Sequence, residues 1–148
     1  MDDRFRYYMR VRYCECDAQK VVFNVNYGNY VGLATYEFLR SLPIEQNLID
    51  GHTLDFQLVK QTVEWKAPAR FDQVLGISVS TSHLGTTSFT IVTDIRIAGD
   101  EMIIATAETV RVLIDPATMT KMPIPEDLRA AMLKGAPGVV VDHAGYLN

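Results

Sequence analysis

The sequence has few cysteines, no long apolar run and no excess of positive charge. Two cysteines among 148 residues, Cys14 and Cys16, are too few for a disulfide scaffold. Their spacing on a strand would strain a bond between them, and without a nearby histidine they fall short of a zinc site. No other cluster has metal-ligand spacing, so we expect activity without a metal or cofactor. A net charge of -4 argues against general binding to nucleic acid, because phosphate contacts need surplus lysine and arginine.

Apolar residues make up 48% of the chain, yet no run of them is long enough to span a bilayer. The first ten residues, MDDRFRYYMR, lack the apolar stretch of a signal peptide, so we expect a cytoplasmic protein. The length predicts one domain with its own core. We place that domain at residues 1–134. Residues 135–148 have no clear pattern and are interpreted as a tail, either mobile or added to a sheet edge.

Residues 5–13 alternate with a period of two, which predicts a half-buried strand. Its apolar face consists of Phe5, Tyr7, Met9, Val11 and Tyr13. Its other face carries Arg4, Arg6, Arg10 and Arg12. We interpret the arginine stripe as a solvated outer face, with phosphate contacts as the alternative.

From residue 26, apolar residues recur every three or four positions, which predicts a buried helix of about four turns. The stripe consists of Tyr27, Val31, Ala34, Phe38 and Leu42. Asn24 or Asn26 is expected to cap the N-terminus of this helix, and Pro43 to end it.

Alternating apolar residues then predict further antiparallel strands, with turns at Gly85 and at the segment IAGDE. The strands are expected at about 54–66, 74–84, 87–97 and 102–114. The apolar phase slips in the first of them, which predicts a β-bulge near Val59. PEDLRAAMLKG is typical of a short helix that opens with Pro125. The predicted fold is therefore α+β, with one antiparallel five-stranded sheet wrapped around a long central helix and a short C-terminal helix.

The segment RYCECDAQKVVFNVNYGNYVGLATYEFLRSL resembles the signature of hotdog-fold acyl-CoA thioesterases of the 4-hydroxybenzoyl-CoA thioesterase type. That signature is Tyr-x-x-x-Asp, a short glycine-containing loop, two apolar residues, an aromatic residue, and then Asn or Ser before Tyr. The resemblance continues in order through VEWKAPARFDQVL, LGTTSF, IATAETVRVLID and PIPEDLR, and so covers about residues 5–133. It implies the hotdog fold and hydrolysis of acyl-CoA to a carboxylic acid and CoA.

The resemblance also implies the site. Asp17 takes the place of the essential carboxylate, which acts as the nucleophile or as a general base on water. The backbone N–H of Asn24, with Val25 beside it, polarises the thioester carbonyl. The physical logic agrees, because a helix N-terminus offers unpaired N–H donors to a carbonyl that gains negative charge. The alternative for Asp17 is a loop aspartate that caps the helix or a turn.

The family site lies where two subunits join edge to edge, so a homodimer or homotetramer is implied. Further substrate contacts are assigned to Tyr13, Tyr27, Lys66, Arg70, Thr87 and Ser88. Tyr13 either lines the acyl pocket or faces the core. The two basic residues either meet CoA phosphates or are solvated, and the two hydroxyl residues are expected to reach the neighbouring subunit's site.

Three residues depart from the family pattern. Lys20 stands where glycine is common, so the loop either avoids a positive φ or tolerates strain there. Asn24 stands where the bacterial Tol-Pal-associated members have histidine, which removes a candidate general base. Gly32 replaces an acid on the helix.

Two other functions compete with hydrolysis. Hydratases and dehydratases of the same fold rely on a histidine near the helix, and residues 14–42 contain none. A non-hydrolytic module that binds acyl-CoA or an acyl-carrier protein is the remaining alternative, and the departures at Lys20 and Gly32 give it some support.

Overall fold

The computed structural model describes residues 2–44 and 55–148. The start of the predicted strand at residue 54 lies outside these residues. Within them the chain forms seven strands and two helices. In order these are β1 (Phe5–Arg10), α1 (Asn26–Arg40), β2 (Asp55–Trp65), β3 (Val74–Leu84), β4 (Ser88–Ile97), β5 (Ile103–Asp115), β6 (Thr120–Lys121), α2 (Glu126–Lys134) and β7 (Val140–Asp142).

All the strands belong to one sheet, in the order β2-β5-β4-β3-β1-β7, with β6 paired to the end of β5. Neighbours are antiparallel except β7, which runs parallel to β1. The prediction of five strands is therefore wrong. The two missed strands have 2 and 3 residues, too few to show a periodicity of two. Of the two alternatives for the tail, the structure shows the added edge segment.

The first strand is shorter than its alternation indicates. It ends at Arg10, and a 3₁₀ turn follows at Tyr13–Glu15. Tyr13 is therefore 74% exposed rather than part of the apolar face. The arginine stripe is also more than a solvated face, because each arginine has an acidic partner. The ion pairs are Arg4 with Asp2 and Asp94, Arg6 with Asp2, Arg10 with Asp72, and Arg12 with Glu15.

Helix α1 packs its apolar stripe against β1, β3 and β4. Tyr30, Val31 and Ala34 are fully buried, and the rings of Phe38 and Phe5 meet edge to face with centroids 5.7 Å apart. The predicted asparagine cap is wrong. Val25 occupies the N-cap position, with helical φ and ψ and no side-chain hydrogen bond.

Strand β2 forms the edge of the sheet opposite β7. Its pairing with β5 passes from Leu58–Arg111 to Lys60–Val110, which leaves Val59 unpaired and confirms the predicted bulge. Most of β2 is exposed. Among the described residues, no strand pairs with the outer side of β2, so this edge presents backbone groups and apolar side chains together.

Candidate active site

Residues 16–22 form a tight hairpin that presents Asp17. The backbone N–H of Asp17 donates to the Val21 carbonyl at 2.9 Å, and the N–H of Lys20 donates to the Asp17 carbonyl at 2.9 Å. The Asp17 side chain is exposed, and its Oδ1 accepts the N–H of Gln19 at 2.8 Å, as in an Asx turn. Its Oδ2 accepts no hydrogen bond from any residue that the structure describes. The carboxylate is thus oriented by one bond and keeps one oxygen available.

The hairpin tolerates a left-handed residue that is not glycine. Lys20 has φ of 62°, so the second of the two expectations for this position holds. The Lys20 carbonyl accepts the N–H of Phe71 at 3.0 Å, and Val21 forms a bridge with Arg70. These contacts fix the hairpin against the segment that follows β2, because they join its far side to residues 70–71.

The N-terminus of α1 lies directly after the hairpin. The N–H of Phe23 and the side-chain amide of Asn26 both donate to the Glu15 carbonyl, at 2.9 and 2.8 Å. Asn24 and Val25 are exposed, and their N–H groups meet no acceptor within residues 2–44 and 55–148. Two backbone donors at the positive end of a helix are therefore free to receive an external acceptor.

Glu15 is a site residue that sequence reasoning missed. It is only 7% exposed, and its Oε1 accepts the Arg12 N–H at 2.8 Å and the Tyr30 hydroxyl at 3.0 Å. Its Oε2 accepts Nε and Nη2 of Arg12 at 3.0 and 2.7 Å. Burial alone would raise the pKa of the Glu15 carboxyl, but these hydrogen bonds outweigh burial and lower it.

Glu15 connects the turn that precedes Asp17 to the start and to the middle of α1. Its side chain joins Arg12 to the middle of α1, and its carbonyl joins Phe23 to Asn26. Burial, followed by the bond to Glu15, raises the pKa of Tyr30 far above its usual value. The signal that could have found Glu15 is Tyr30 itself, since a hydroxyl on the buried face of a helix requires a partner.

An open cleft of ≈ 310 Å³ lies beside the helix N-terminus. It is lined by Val22, Asn24, Tyr27, Trp65, Lys66 and Pro68. The Tyr27 hydroxyl accepts the N–H of Ala69 at 3.1 Å, and its ring meets Trp65 edge to face with centroids 6.1 Å apart. The structure thus brings together three residues predicted separately: Asn24, Tyr27 and Lys66.

Arg70 and Tyr13 are not among the residues that line the cleft. Arg70 is exposed and pairs with Val21 of the hairpin. Tyr13 contacts Phe71 edge to face, with centroids 5.7 Å apart. The alternative that Tyr13 faces the core is wrong, because its side chain is exposed.

Thr87 and Ser88 lie at the far end of the sheet from the cleft. The Thr87 carbonyl accepts the N–H of Leu113 on β5, whereas the N–H of Lys66 donates to Ile104 on the same strand. Nine residues of strand separate these two points, or roughly 30 Å at 3.3 Å per residue. Within one chain the two hydroxyl residues do not join the site.

No group of three or more histidine, cysteine or acidic side chains in the described part of the chain could hold a metal ion. Cys14 and Cys16 are free thiols, the first exposed and the second half-buried. None of the helices within the described residues combines the length and apolarity needed to cross a membrane.

The α+β fold, in which one mostly antiparallel sheet packs against α1, is that of hotdog-like thioesterases. The model of the thioesterase-like superfamily matches residues 11–132, which include the hairpin, the start of α1 and the cleft. The chain belongs to this superfamily. The family resemblance seen in the sequence is confirmed, and so is the prediction of a thioesterase enzyme.

Named relatives agree with this assignment. The acyl-CoA thioester hydrolase YbgC of Escherichia coli O6:H1 is 30% identical over 126 residues, which are 85% of this chain and 93% of that protein. The solved structure of a gentisyl-coenzyme A thioesterase matches with a TM-score of 0.76 at 28% identity, covering 86% of this chain and 98% of that one. A thioesterase-superfamily structure from Jannaschia sp. CCS1 matches with a TM-score of 0.83 at 19% identity, covering 93% and 96%, and shows the fold alone.

Proposed function

We propose that the protein hydrolyses acyl-CoA to a free carboxylic acid and CoA, with Asp17 as nucleophile or general base. The observation that carries the proposal is the hairpin of residues 16–22. It ties an exposed carboxylate to a helix start, and among the described residues one carboxylate oxygen and two N–H donors have no hydrogen-bond partner. The names of the E. coli relative and of the gentisyl-coenzyme A thioesterase support acyl-CoA as the substrate class.

The chemistry uses both halves of this site. The N–H groups of Asn24 and Val25 stabilise the negative charge that develops on the thioester oxygen, an effect worth about 10²- to 10³-fold per donor in acyl transfer. Asp17 either attacks the carbonyl carbon, releasing CoA thiolate and leaving a mixed anhydride that water cleaves, or removes a proton from an attacking water. Both routes give the same products.

The cleft supplies contacts for the CoA portion of the substrate. Lys66 lines it and Arg70 lies beside it, and both side chains are exposed and free of acidic partners within the described residues. Tyr27 and Trp65 provide an aromatic wall next to them. We assign the CoA phosphates to the two basic residues and the neighbouring part of the substrate to Tyr27, with Tyr13 at the outer margin.

We infer that the active form is a homodimer joined through β2, or a homotetramer made of two such dimers. The strand is an open edge, and its apolar residues Leu58, Val59 and Trp65 are each about half exposed. Thr87 and Ser88 serve a site only if that site belongs to a second copy. In this arrangement α1, which packs on β1, β3 and β4, is the central helix of the hotdog fold.

Light scattering at micromolar concentration tests this assembly. We expect the mass of two or four chains. The mass of a single chain would contradict a site shared between subunits.

A non-hydrolytic module that binds acyl-CoA or an acyl-carrier protein is the second candidate. The position of Gly32 supports it, because even a Cβ added there would have no neighbour within 4 Å among the described residues, so α1 has open surface where the family usually has an acid. Lys20 adds a strained residue to the hairpin. Both departures concern the geometry of the loop and helix, and both leave Asp17 in place.

Thiol release from a panel of acyl-CoAs, aliphatic and hydroxyaryl, separates the two candidates. We expect release of CoA with at least one acyl group, unchanged by EDTA. Cys14 is exposed and reacts with the same thiol reagent, so each assay needs a blank without substrate. Calorimetric binding of acyl-CoA without thiol release would establish the module instead, and loss of turnover with EDTA would reveal a metal.

A further inference from the structure

Residues 138–147, which we call the tail segment, are bound along the outer edge of β1. The N–H of Gly138 donates to the Asp3 carbonyl at 2.6 Å, and the N–H of His143 donates to the Tyr8 carbonyl at 3.0 Å. In the opposite direction, the N–H of Arg6 donates to the Val139 carbonyl at 3.0 Å. The tail segment therefore satisfies backbone groups of β1 that would otherwise form an open edge.

Side chains strengthen this attachment. The ring of Tyr146 stacks on Tyr8, with centroids 4.9 Å apart and planes 30° apart. Tyr8 lies on the arginine face of β1 and is nevertheless only 8% exposed. Nδ1 of His143 lies 3.2 Å from the Tyr7 hydroxyl, and the two rings meet edge to face. The tail segment thus covers both faces of β1 as well as its edge.

The tail segment is shaped so that it does not become a new edge. Its strand β7 has 3 residues, and glycines with φ of 76° and 67° stand at positions 138 and 145, on either side of it. After the strand, Asp142 accepts the N–H groups of Ala144, Tyr146 and Leu147, which closes the chain into a turn and ends the strand pairing. A strand so short and so flanked offers little to an incoming chain.

We propose that the tail segment is an edge cap, which closes the β1 side of the sheet against a second copy and leaves β2 as the one edge for assembly. The sheet order places β1 and β2 on opposite sides, so without the cap both edges would be long and open. The superfamily match ends at residue 132, before the tail segment begins. The edge cap rests on the proposed function in one respect: the second copy is taken to bind at β2.

The test compares the full chain with a chain that ends at Pro137. We expect the Arg6 amide to lose hydrogen-exchange protection by about tenfold or more, because its acceptor at Val139 is gone. We also expect the truncated chain to form species larger than the full-length assembly, increasing with concentration in light scattering. Unchanged mass and unchanged Arg6 protection would overturn the edge cap.

A full-length pair of variants keeps the test decisive if the truncated chain does not fold. Tyr146→Ala removes the stack on Tyr8, and Tyr146→Phe retains the ring. We expect faster exchange at Arg6 and concentration-dependent larger species for the alanine variant alone, since an aromatic pair of this kind contributes a several-fold to tenfold effect. Equal behaviour of the two variants would contradict the proposal. Thiol release is assayed in parallel, and its absence from every protein would refute the proposed function without affecting the edge cap.

Discussion

Glu15 and Asp17 are carboxylates two residues apart that occupy opposite surroundings. Glu15 is buried, and four donors from Arg12 and Tyr30 occupy its oxygens. Asp17 is exposed, and in the part of the chain that the structure describes one donor, the backbone N–H of Gln19, binds one of its oxygens. Glu15 is the last residue of the 3₁₀ turn, and Asp17 lies in the hairpin that follows it.

The difference indicates that the two carboxylates serve different purposes within one short segment: one fixes its structure and the other is left accessible. Glu15 uses all its hydrogen-bonding capacity to fix Arg12, the start of α1 and the middle of α1 relative to one another. From this fixed segment extend Asp17, with one oxygen unbonded, and the N–H groups of Asn24 and Val25, which meet no acceptor among the described residues. A preorganised site needs groups of both kinds, because unpaired groups act on a substrate only when their positions are fixed by others.

The largest effect is expected from Asp17→Asn, which removes the charge and keeps the shape. Asn Oδ1 still accepts the Gln19 N–H, so the Asx turn remains. We expect kcat to fall by about 10²- to 10⁴-fold, with substrate binding largely retained. Steady-state thiol release measures the first quantity and calorimetric titration the second.

Asp17→Asn must be shown to be folded and assembled like the parent protein. Its urea midpoint and its mass in light scattering are the controls. A variant that hydrolyses acyl-CoA near the parent rate would refute the proposed role of Asp17 as nucleophile or general base.

A matched pair at Asn24 tests the other half of the site. The N–H of Asn26 donates to the Phe23 carbonyl, so Asn24 is the second residue of a turn, where proline is favoured. Asn24→Pro removes the free N–H, and we expect kcat to fall by about 10²- to 10³-fold. Asn24→Ala keeps the N–H and should reduce kcat less than tenfold. A deeper loss in the alanine variant would assign a role to the side chain.

Glu15→Gln disrupts the hydrogen bonds that hold the site in position and leaves the proposed reacting groups unchanged. The new amide N–H₂ faces the guanidinium of Arg12, so donors oppose donors where a carboxylate accepted. Arg12 is largely exposed, which reduces the loss, and we expect unfolding free energy at pH 7 to fall by about 2 kcal/mol. Urea denaturation measures this change.

The difference in unfolding free energy between the parent protein and Glu15→Gln should depend on pH in a defined direction. The folded state lowers the pKa of Glu15, so its stabilisation is present above the unfolded value of about 4.3 and is lost as the pH falls through the lowered folded value. Glutamine does not titrate, so the stability gap between parent and variant should narrow in acid. A gap that stays constant to pH 2 would contradict this account.

The comparison of the two carboxylates also shows how far the sequence leads. The start of α1 and the bulge at Val59 follow from local patterns, and the structure confirms both within the described residues. Glu15 does not follow, because the three bonds from Arg12 and the one from Tyr30 are known only once the helix is placed against the turn. Periodicity reports which face is apolar; it does not report which buried polar groups meet.

The same reason explains the open alternatives for the tail and the wrong helix cap. Three residues carry no period, so the sequence leaves the tail as mobile or as an added edge segment, and only the pairing with β1 decides for the edge segment. Asn26 is a residue type that often caps helices, yet its side-chain amide donates to the Glu15 carbonyl. The helix therefore starts without a side-chain cap among the described residues. In both cases a tertiary contact overrides the local preference.

The smallest effect is expected at Lys20, whose φ of 62° strains the hairpin that carries Asp17. Left-handed backbone costs a residue with a Cβ about 1–2 kcal/mol, and glycine offsets part of this gain by its greater freedom in the unfolded chain. Lys20→Gly should therefore raise unfolding free energy by about 0.5–1 kcal/mol in urea denaturation, with kcat changed less than threefold. Lys20→Ala is the matched control, since it removes the charge and retains the strain. Equal stabilisation by alanine and glycine would show that the lysine charge, rather than the backbone, is responsible.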